Sequence, residues 1–104
     1  MLIVTIEHLP GKHFEPLGFV KGSVVHSKNL GKDIMSQFKG LVGGEMVGYT
    51  EMLNEARQIA VGRMVEDAEA KGADAVVGLR FTSSTITTGA AEVMAYGTAV
   101  RFVD

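Results

Sequence analysis

Two histidines and two carboxylates near the N-terminus are the side chains in this sequence whose grouping could coordinate a metal ion. Glu7, His8, His13 and Glu15 flank a turn predicted between the first two strands. Two imidazoles with a carboxylate are a ligand set that zinc accepts. A solvated hairpin explains the same residues, and we favour it, because His-x4-His in a loop lacks the fixed geometry of two helical histidines at i,i+4. His8 and His13 are the candidate metal ligands.

Arginine inside a predicted strand is the second feature that indicates chemistry. Arg80 and Arg101 lie in segments that are otherwise apolar or hydroxylic. A guanidinium buried there needs a carboxylate, from Glu92 or a neighbouring subunit, or the anion of a ligand. Arg80 and Tyr96 are therefore candidate ligand-binding residues, and an enzyme that uses them near a glycine loop is the alternative.

That glycine loop, GLVGGE over residues 40–45, has some character of a phosphate-binding loop. It lacks the Lys-Ser/Thr of a P-loop and precedes no strand-turn-helix fingerprint for dinucleotides. A flexible joint before a helix is the better interpretation, with Gly43 and Gly44 kept as candidate ligand-binding positions. The sequence shows no Ser-His-Asp spacing, no paired catalytic carboxylates and no nucleophile elbow, so no reaction and no cofactor can be named.

Composition restricts the class of protein. The chain has 104 residues, which predicts one domain over 1–104, and its 10 Lys and Arg against 12 Asp and Glu provide no basic field for nucleic acid. The absence of cysteine excludes disulfides, thiolate metal sites and thiol catalysis. The apolar run LIVTI is too short for a membrane span or a signal sequence. We expect a cytoplasmic protein with no nucleic-acid or membrane partner.

A long helix over residues 49–71 organises the rest of the chain. Its apolar residues recur at steps of three and four, which is the period of a helix face packed on a core. They are Tyr49, Leu53, Ala56, Ala60, Met64 and Ala68. Lys71-Gly72 predicts its C-terminal end, and Arg63 with Asp67 and Asp67 with Lys71 are predicted i,i+4 ion pairs.

Strand patterns occupy both sides of this helix. We predict strands at 2–6, 17–27, 75–86 and 91–103, and a short helix around 29–38. Gly22 interrupts the second strand and indicates a bulge or a close backbone approach. The prediction is an α+β fold of order β-β-α-α-β-β, in which a four-stranded, mainly antiparallel sheet carries one long helix and one short helix.

The last strand is apolar or small on both faces, which is typical of a strand in the middle of a sheet. One helix covers one face only, so the other face needs either a fold-back of the chain or another subunit. We favour another subunit and predict a homo-oligomer. Gly97 lies on the small-residue side of this strand, and we expect the assembly to need it more than the isolated fold does.

Three short motifs resemble one known family. They are Gly43-Gly44 before a Tyr49-x3-Leu53 helix start, GADAVVGLRF after the helix, and AYGTAV in the last strand. Together, from LIVTI to Phe102, the chain resembles the YbjQ-like family of small proteins, which is sometimes labelled heavy-metal-binding. The resemblance implies a dodecin-type β-α-β-β core assembled as a homopentameric ring.

The function that follows is a ring-forming protein that binds a small ligand or a metal ion at subunit interfaces. An enzyme that uses Arg80 and Tyr96 belongs to a different class, and a purely structural scaffold is the third candidate. This chain has no cysteine, and His8 and His13 lie outside the motifs that carry the resemblance.

Overall fold

The computed structural model of the protein describes residues 1–26, 41–42, 45–87 and 90–104. The predicted short helix at 29–38 and the glycines Gly43 and Gly44 lie outside these residues. Both therefore stay predictions.

The described chain forms a four-stranded sheet, a separate two-stranded sheet and one long helix. The elements are β1 (Leu2–Ile3), β2 (His13–His26), β3 (Leu41–Val42), β4 (Glu45–Met46), α1 (Val47–Ala70), β5 (Ala75–Thr87) and β6 (Ala90–Val103). The large sheet has the order β1-β5-β6-β2, in which β1 runs parallel to β5 and the other pairs are antiparallel. The predicted α+β class and the mainly antiparallel four-stranded sheet are confirmed.

β6 lies between β5 and β2, as its two-sided apolar pattern predicts. Ala95 and Ala99 face α1 and are fully buried, and Val100 is fully buried on the opposite face. A strand in this position has no free edge, and each face meets another part of the chain. The bounds of the β5–β6 hairpin agree with the prediction to within one residue.

The core between α1 and the sheet contains four alanines, whose small side chains let α1 approach the sheet closely. Its fully buried residues are Val20, Ala60, Met64, Ala68, Val76, Ala95 and Ala99. Gly22 is the point of closest approach, because a Cβ there would lie 2.1 Å from the Ala60 carbonyl oxygen and 2.3 Å from the Met64 nitrogen. The close approach predicted at Gly22 is confirmed, and the bulge in β2 lies between Pro16 and Gly18 instead.

The opposite face is covered at one end by the segment between β1 and β2. Leu9 from this segment is 6% exposed and packs with Ala75, Val77 and Val100. A fold-back of the chain therefore covers part of the face for which we expected another subunit. Further along β2 the same face is open, and Phe19 is 59% exposed there.

The outer edge of β2 is bound by two side chains of α1. Arg63 donates a hydrogen bond to the Ser23 carbonyl oxygen, and the Lys21 N–H donates to Asp67 Oδ2 at 3.2 Å. The predicted Arg63–Asp67 ion pair is wrong, because both side chains turn to backbone groups of the edge strand. The Asp67–Lys71 pair is confirmed at 3.0 Å. These bonds occupy edge groups that could otherwise pair with another strand.

The hydrogen bonds to Asp67 also shift its pKa. Hydrogen bonds from the Lys71 ammonium and from the Lys21 N–H lower the pKa of Asp67 below its ordinary value of 3.8. A carboxylate whose pKa is lower in the folded than in the unfolded chain stabilises the fold above the unfolded pKa. That contribution is lost as pH falls through the folded pKa.

Gly97 is buried against β5 of its own chain. A Cβ at this position would lie 2.8 Å from Val76 Cγ1 and 3.0 Å from the Val77 carbonyl oxygen. The close neighbour predicted at Gly97 is therefore β5 of the same subunit, and this contact favours a role for the glycine in the fold over the expected role in the assembly.

Candidate functional site

An open groove lies where the segment after β1 passes the middle of β5. It is lined by Thr5, Ile6, Glu7, His8 and Arg80. Arg80 and His8 were predicted for two different sites, a ligand site and a metal site, and the fold brings them into one groove.

A bulge in β5 builds this groove. The register of β5 against β6 shifts between Val77 and Arg80, and Gly78 has a φ of 66°, a conformation that favours glycine. The bulge donates two backbone hydrogen bonds to the segment after β1. The Gly78 N–H donates to the Ile6 carbonyl at 2.9 Å, and the Leu79 N–H donates to the Val4 carbonyl at 3.0 Å. These bonds fix the segment beside Arg80.

Arg80 is held by backbone carbonyls rather than by a carboxylate. Its Nη1 donates to the Thr5 carbonyl oxygen at 2.9 Å and to the Leu79 carbonyl oxygen at 2.8 Å. Its side chain is exposed, so the predicted burial is wrong. Within the described ranges no carboxylate lies at salt-bridge distance from it. A guanidinium has five N–H donors, so Nε and Nη2 are available to an anion in the groove.

Arg101 has an ordinary partner. It is exposed and forms an ion pair with Glu15, which lies directly opposite it on β2. Glu15 takes the place of Glu92, which was one of the predicted partners beside a neighbouring subunit and a ligand anion. Exposed pairs of this kind contribute about 0–1 kcal/mol to stability, so Arg101 is a surface residue without a site.

Tyr96 lies directly opposite Arg80 on β6, and Lys21 lies opposite Tyr96 on β2. Residues opposite each other in an antiparallel pair point to the same face of the sheet. The two predicted ligand-binding residues, Arg80 and Tyr96, are therefore neighbours on the open face. The ring of Phe19 lies beside Tyr96, with 6.3 Å between ring centroids and 47° between ring planes.

Sequence reasoning missed Phe19. The signal that could have found it is the alternation along β2, where Lys21 and Ser23 mark one face of the strand as the solvated one. Phe19 belongs to that face by the same alternation. An exposed aromatic side chain becomes informative when it is part of a contiguous apolar patch, as Phe19 is beside Tyr96.

The predicted metal cluster is divided between different places. Glu7 and His8 line the groove, Glu15 pairs with Arg101, and His13 is the exposed first residue of β2. In the described part of the chain no group of three or more His, Cys, Asp or Glu side chains could hold a metal ion. Zinc sites use three or four protein ligands, so Glu7, His8, His13 and Glu15 do not form a zinc site within the described part of one subunit, and His8 and His13 as metal ligands stay a prediction.

Within the described residues, no helix is long and apolar enough to cross a membrane. Gly43 and Gly44 lie outside these residues, so their predicted contribution to ligand binding stays a prediction.

Comparison with solved structures supports the fold. A crystal structure of a protein with unknown function from Pediococcus pentosaceus, assigned to the DUF74 family, matches with a TM-score of 0.61. The match covers 99% of this chain and 98% of that chain at 16% identity. At this identity the likeness concerns the fold alone.

Sequence comparisons cover the whole chain. A UPF0145 protein of Clostridium perfringens is 60% identical over 100% of this chain and 99% of its own length. Relatives from Thermotoga petrophila, at 61% over 97% of this chain and 96% of theirs, and Vibrio parahaemolyticus, at 53% over 100% of both, carry the same name. The family model YbjQ, described as "Putative heavy-metal-binding", matches residues 1–103. The chain belongs to the YbjQ family of UPF0145 proteins.

Proposed function

We propose that this protein is a cytoplasmic, ring-forming homo-oligomer of one-domain subunits that binds a small anionic ligand in the groove lined by Arg80. The observation that carries the proposal is the state of Arg80, which is anchored by two backbone carbonyls and has no carboxylate partner in the described ranges. The absence of cysteine fits a reducing compartment.

An anion is the ligand class that this groove fits best. Anchoring of Nη1 orients the guanidinium before a ligand arrives, and a planar guanidinium binds carboxylate and phosphate oxygens in a bidentate manner. His8, which lines the same groove, offers imidazole N–H to an anion, while the Glu7 carboxylate opposes one. Because the groove is open to solvent, we expect a dissociation constant of roughly 1 mM to 10 μM rather than tight binding.

The outer edge of β5 supports an assembly. Beyond Arg80, no strand of the described part of the chain pairs with this edge. Its sequence over 81–87, FTSSTIT, carries no charge, and Phe81 and Ile86 are 45% and 57% exposed. Monomeric proteins protect such edges with charged residues, proline or a covering element. A neighbouring subunit is the cover that we propose here.

The groove and this edge are adjacent, since Arg80 belongs to the groove and immediately precedes the uncharged segment 81–87. A ligand in the groove would therefore lie near a subunit boundary. The count of five subunits rests on the family resemblance, and a heterologous contact that closes into a ring agrees with it.

Two measurements test the proposal. Sedimentation should give a mass of several subunits, and Phe81→Glu should reduce it; a single-subunit mass for the unmodified protein would contradict the assembly.

Calorimetric titration with inorganic phosphate at low ionic strength should show binding that Arg80→Gln abolishes. Arg101→Gln is the matched control, because it removes an exposed strand arginine far from the groove, and it should bind as the unmodified protein does. An intact assembly that takes up no anion would favour the scaffold function.

A further inference from the structure

Beside the groove, the open face of the sheet carries two aromatic rings flanked by two cations. Tyr96 lies between Arg80 on β5 and Lys21 on β2, and Phe19 contacts Tyr96 from the next position along β2. We name Phe19, Lys21 and Tyr96 the aromatic strip. From these observations we infer that the ligand is an aromatic anion of the mononucleotide class, whose planar ring lies on the aromatic strip while its phosphate binds Arg80. This inference rests on the anion-binding function proposed above.

The exposed area of Phe19 is the first reason. The side chain is 59% exposed on the open face of β2, the fourteen-residue strand at the edge of the sheet. Its ring lies 6.3 Å from that of Tyr96, centroid to centroid, and its exposed area leaves aromatic surface accessible to a ligand. A base offers a planar face to such a surface, and stacking of bases on aromatic side chains is tolerant of base identity.

Charge is the second reason. Within the described residues, neither Arg80 nor the Lys21 ammonium has a carboxylate at salt-bridge distance. The next row of opposed residues, Ser23, Met94 and Thr82, carries no charge. Glu7 in the groove and Asp67, which attracts the Lys21 ammonium, offset part of this charge. The two cations still flank an aromatic centre, which complements a ring bearing an anionic group better than it complements a second copy of the same surface.

The spacing is the third reason. Neighbouring strands lie about 4.8 Å apart, so Arg80 and Lys21 are separated by about 10 Å across β6. A mononucleotide places its phosphate one ribose away from its base, which allows the phosphate to reach Arg80 while the base covers Tyr96 and Phe19. Inorganic phosphate would use Arg80 alone.

The test compares adenosine 5′-monophosphate, ribose 5-phosphate and inorganic phosphate by calorimetry. Adenosine 5′-monophosphate should bind at least about fivefold more tightly than ribose 5-phosphate, the lower end of a base–aromatic stacking contribution. Phe19→Leu keeps an apolar side chain and removes one of the two rings, so it should lower this ratio, and the Phe19→Leu, Tyr96→Leu double variant should bring it close to one. Ile59→Ala is the control, since Ile59 is an exposed apolar residue of α1, on the other side of the sheet from the strip, and it should leave the ratio unchanged.

The failures are distinguishable. If none of the three compounds binds, the proposed anion-binding function fails, and the inference with it. If ribose 5-phosphate and adenosine 5′-monophosphate bind equally and both depend on Arg80, only the inference fails. Two other occupants would also overturn it. One is a single-stranded oligonucleotide that binds far more tightly than the mononucleotide; the other is a second subunit, which sedimentation would reveal if Phe19→Ser dissociated the assembly.

Discussion

Replacing Gly22 by alanine should separate α1 from the sheet. The added Cβ would lie 2.1 Å from the Ala60 carbonyl oxygen, 2.3 Å from the Met64 nitrogen and 2.8 Å from the Arg63 carbonyl carbon. All three are backbone atoms of a regular helix, so no flexible side chain can turn away. To restore ordinary contact, α1 would have to move outward by about 1.2–1.4 Å, since packed atoms sit roughly 3.5 Å apart.

This movement of α1 should lower the free energy of unfolding in two ways. Overpacking a tight contact costs about 1–3 kcal/mol. Displacement also stretches the hydrogen bonds that Arg63 and Asp67 make to β2, each of which contributes about 1 kcal/mol. The sum is about 3–5 kcal/mol, which is a large part of the roughly 5–15 kcal/mol that stabilises a domain.

Thermal unfolding followed by circular dichroism at a fixed protein concentration measures this effect. At about 4–8 °C per kcal/mol, Gly22→Ala should lower Tm by at least about 12 °C. Gly62→Ala is the matched control, because Gly62 lies on the exposed face of the same helix and a Cβ there meets nothing within 4 Å. It should raise stability by about 0.5–1 kcal/mol, since glycine is unfavourable inside a helix. A Gly22→Ala protein that melts within about 3 °C of the unmodified one would refute the reasoning.

Three further predictions concern stability and metal binding. Asp67→Asn should destabilise the protein at pH 7. Chemical denaturation should show that the difference in unfolding free energy from the unmodified protein shrinks as pH falls below 3.8, because the Asp67 carboxylate, whose pKa is lowered in the fold, then becomes protonated and no longer stabilises it. Gly97→Ala should destabilise the subunit by about 1–3 kcal/mol, with unfolding rather than dissociation as the first change on heating, since its Cβ meets β5 of the same chain. Calorimetry with zinc should show weak binding without defined stoichiometry; stoichiometric submicromolar binding that a His8→Ala, His13→Ala double variant removes would contradict this.

The elements could be predicted from the sequence because their causes are local. Apolar residues recur at steps of three and four along α1 because one face of the helix is buried. β6 is apolar on both faces because it lies in the middle of the sheet, between two strands. Gly22 and Gly97 indicated close approach, because a missing side chain matters where another element comes near. Lys71-Gly72 indicated the helix end, where Gly72 adopts a φ of 74°.

The site was decided by contacts between residues far apart in the chain. Arg80 could be selected as an unusual strand residue, but its partners, the carbonyls of Thr5 and Leu79, depend on where the segment after β1 crosses the β5 bulge. The same fold-back covers one end of a sheet face and leaves Phe19 exposed at the other. Periodicity reports that a residue faces one side of an element; only the tertiary structure determines whether that side meets protein or solvent.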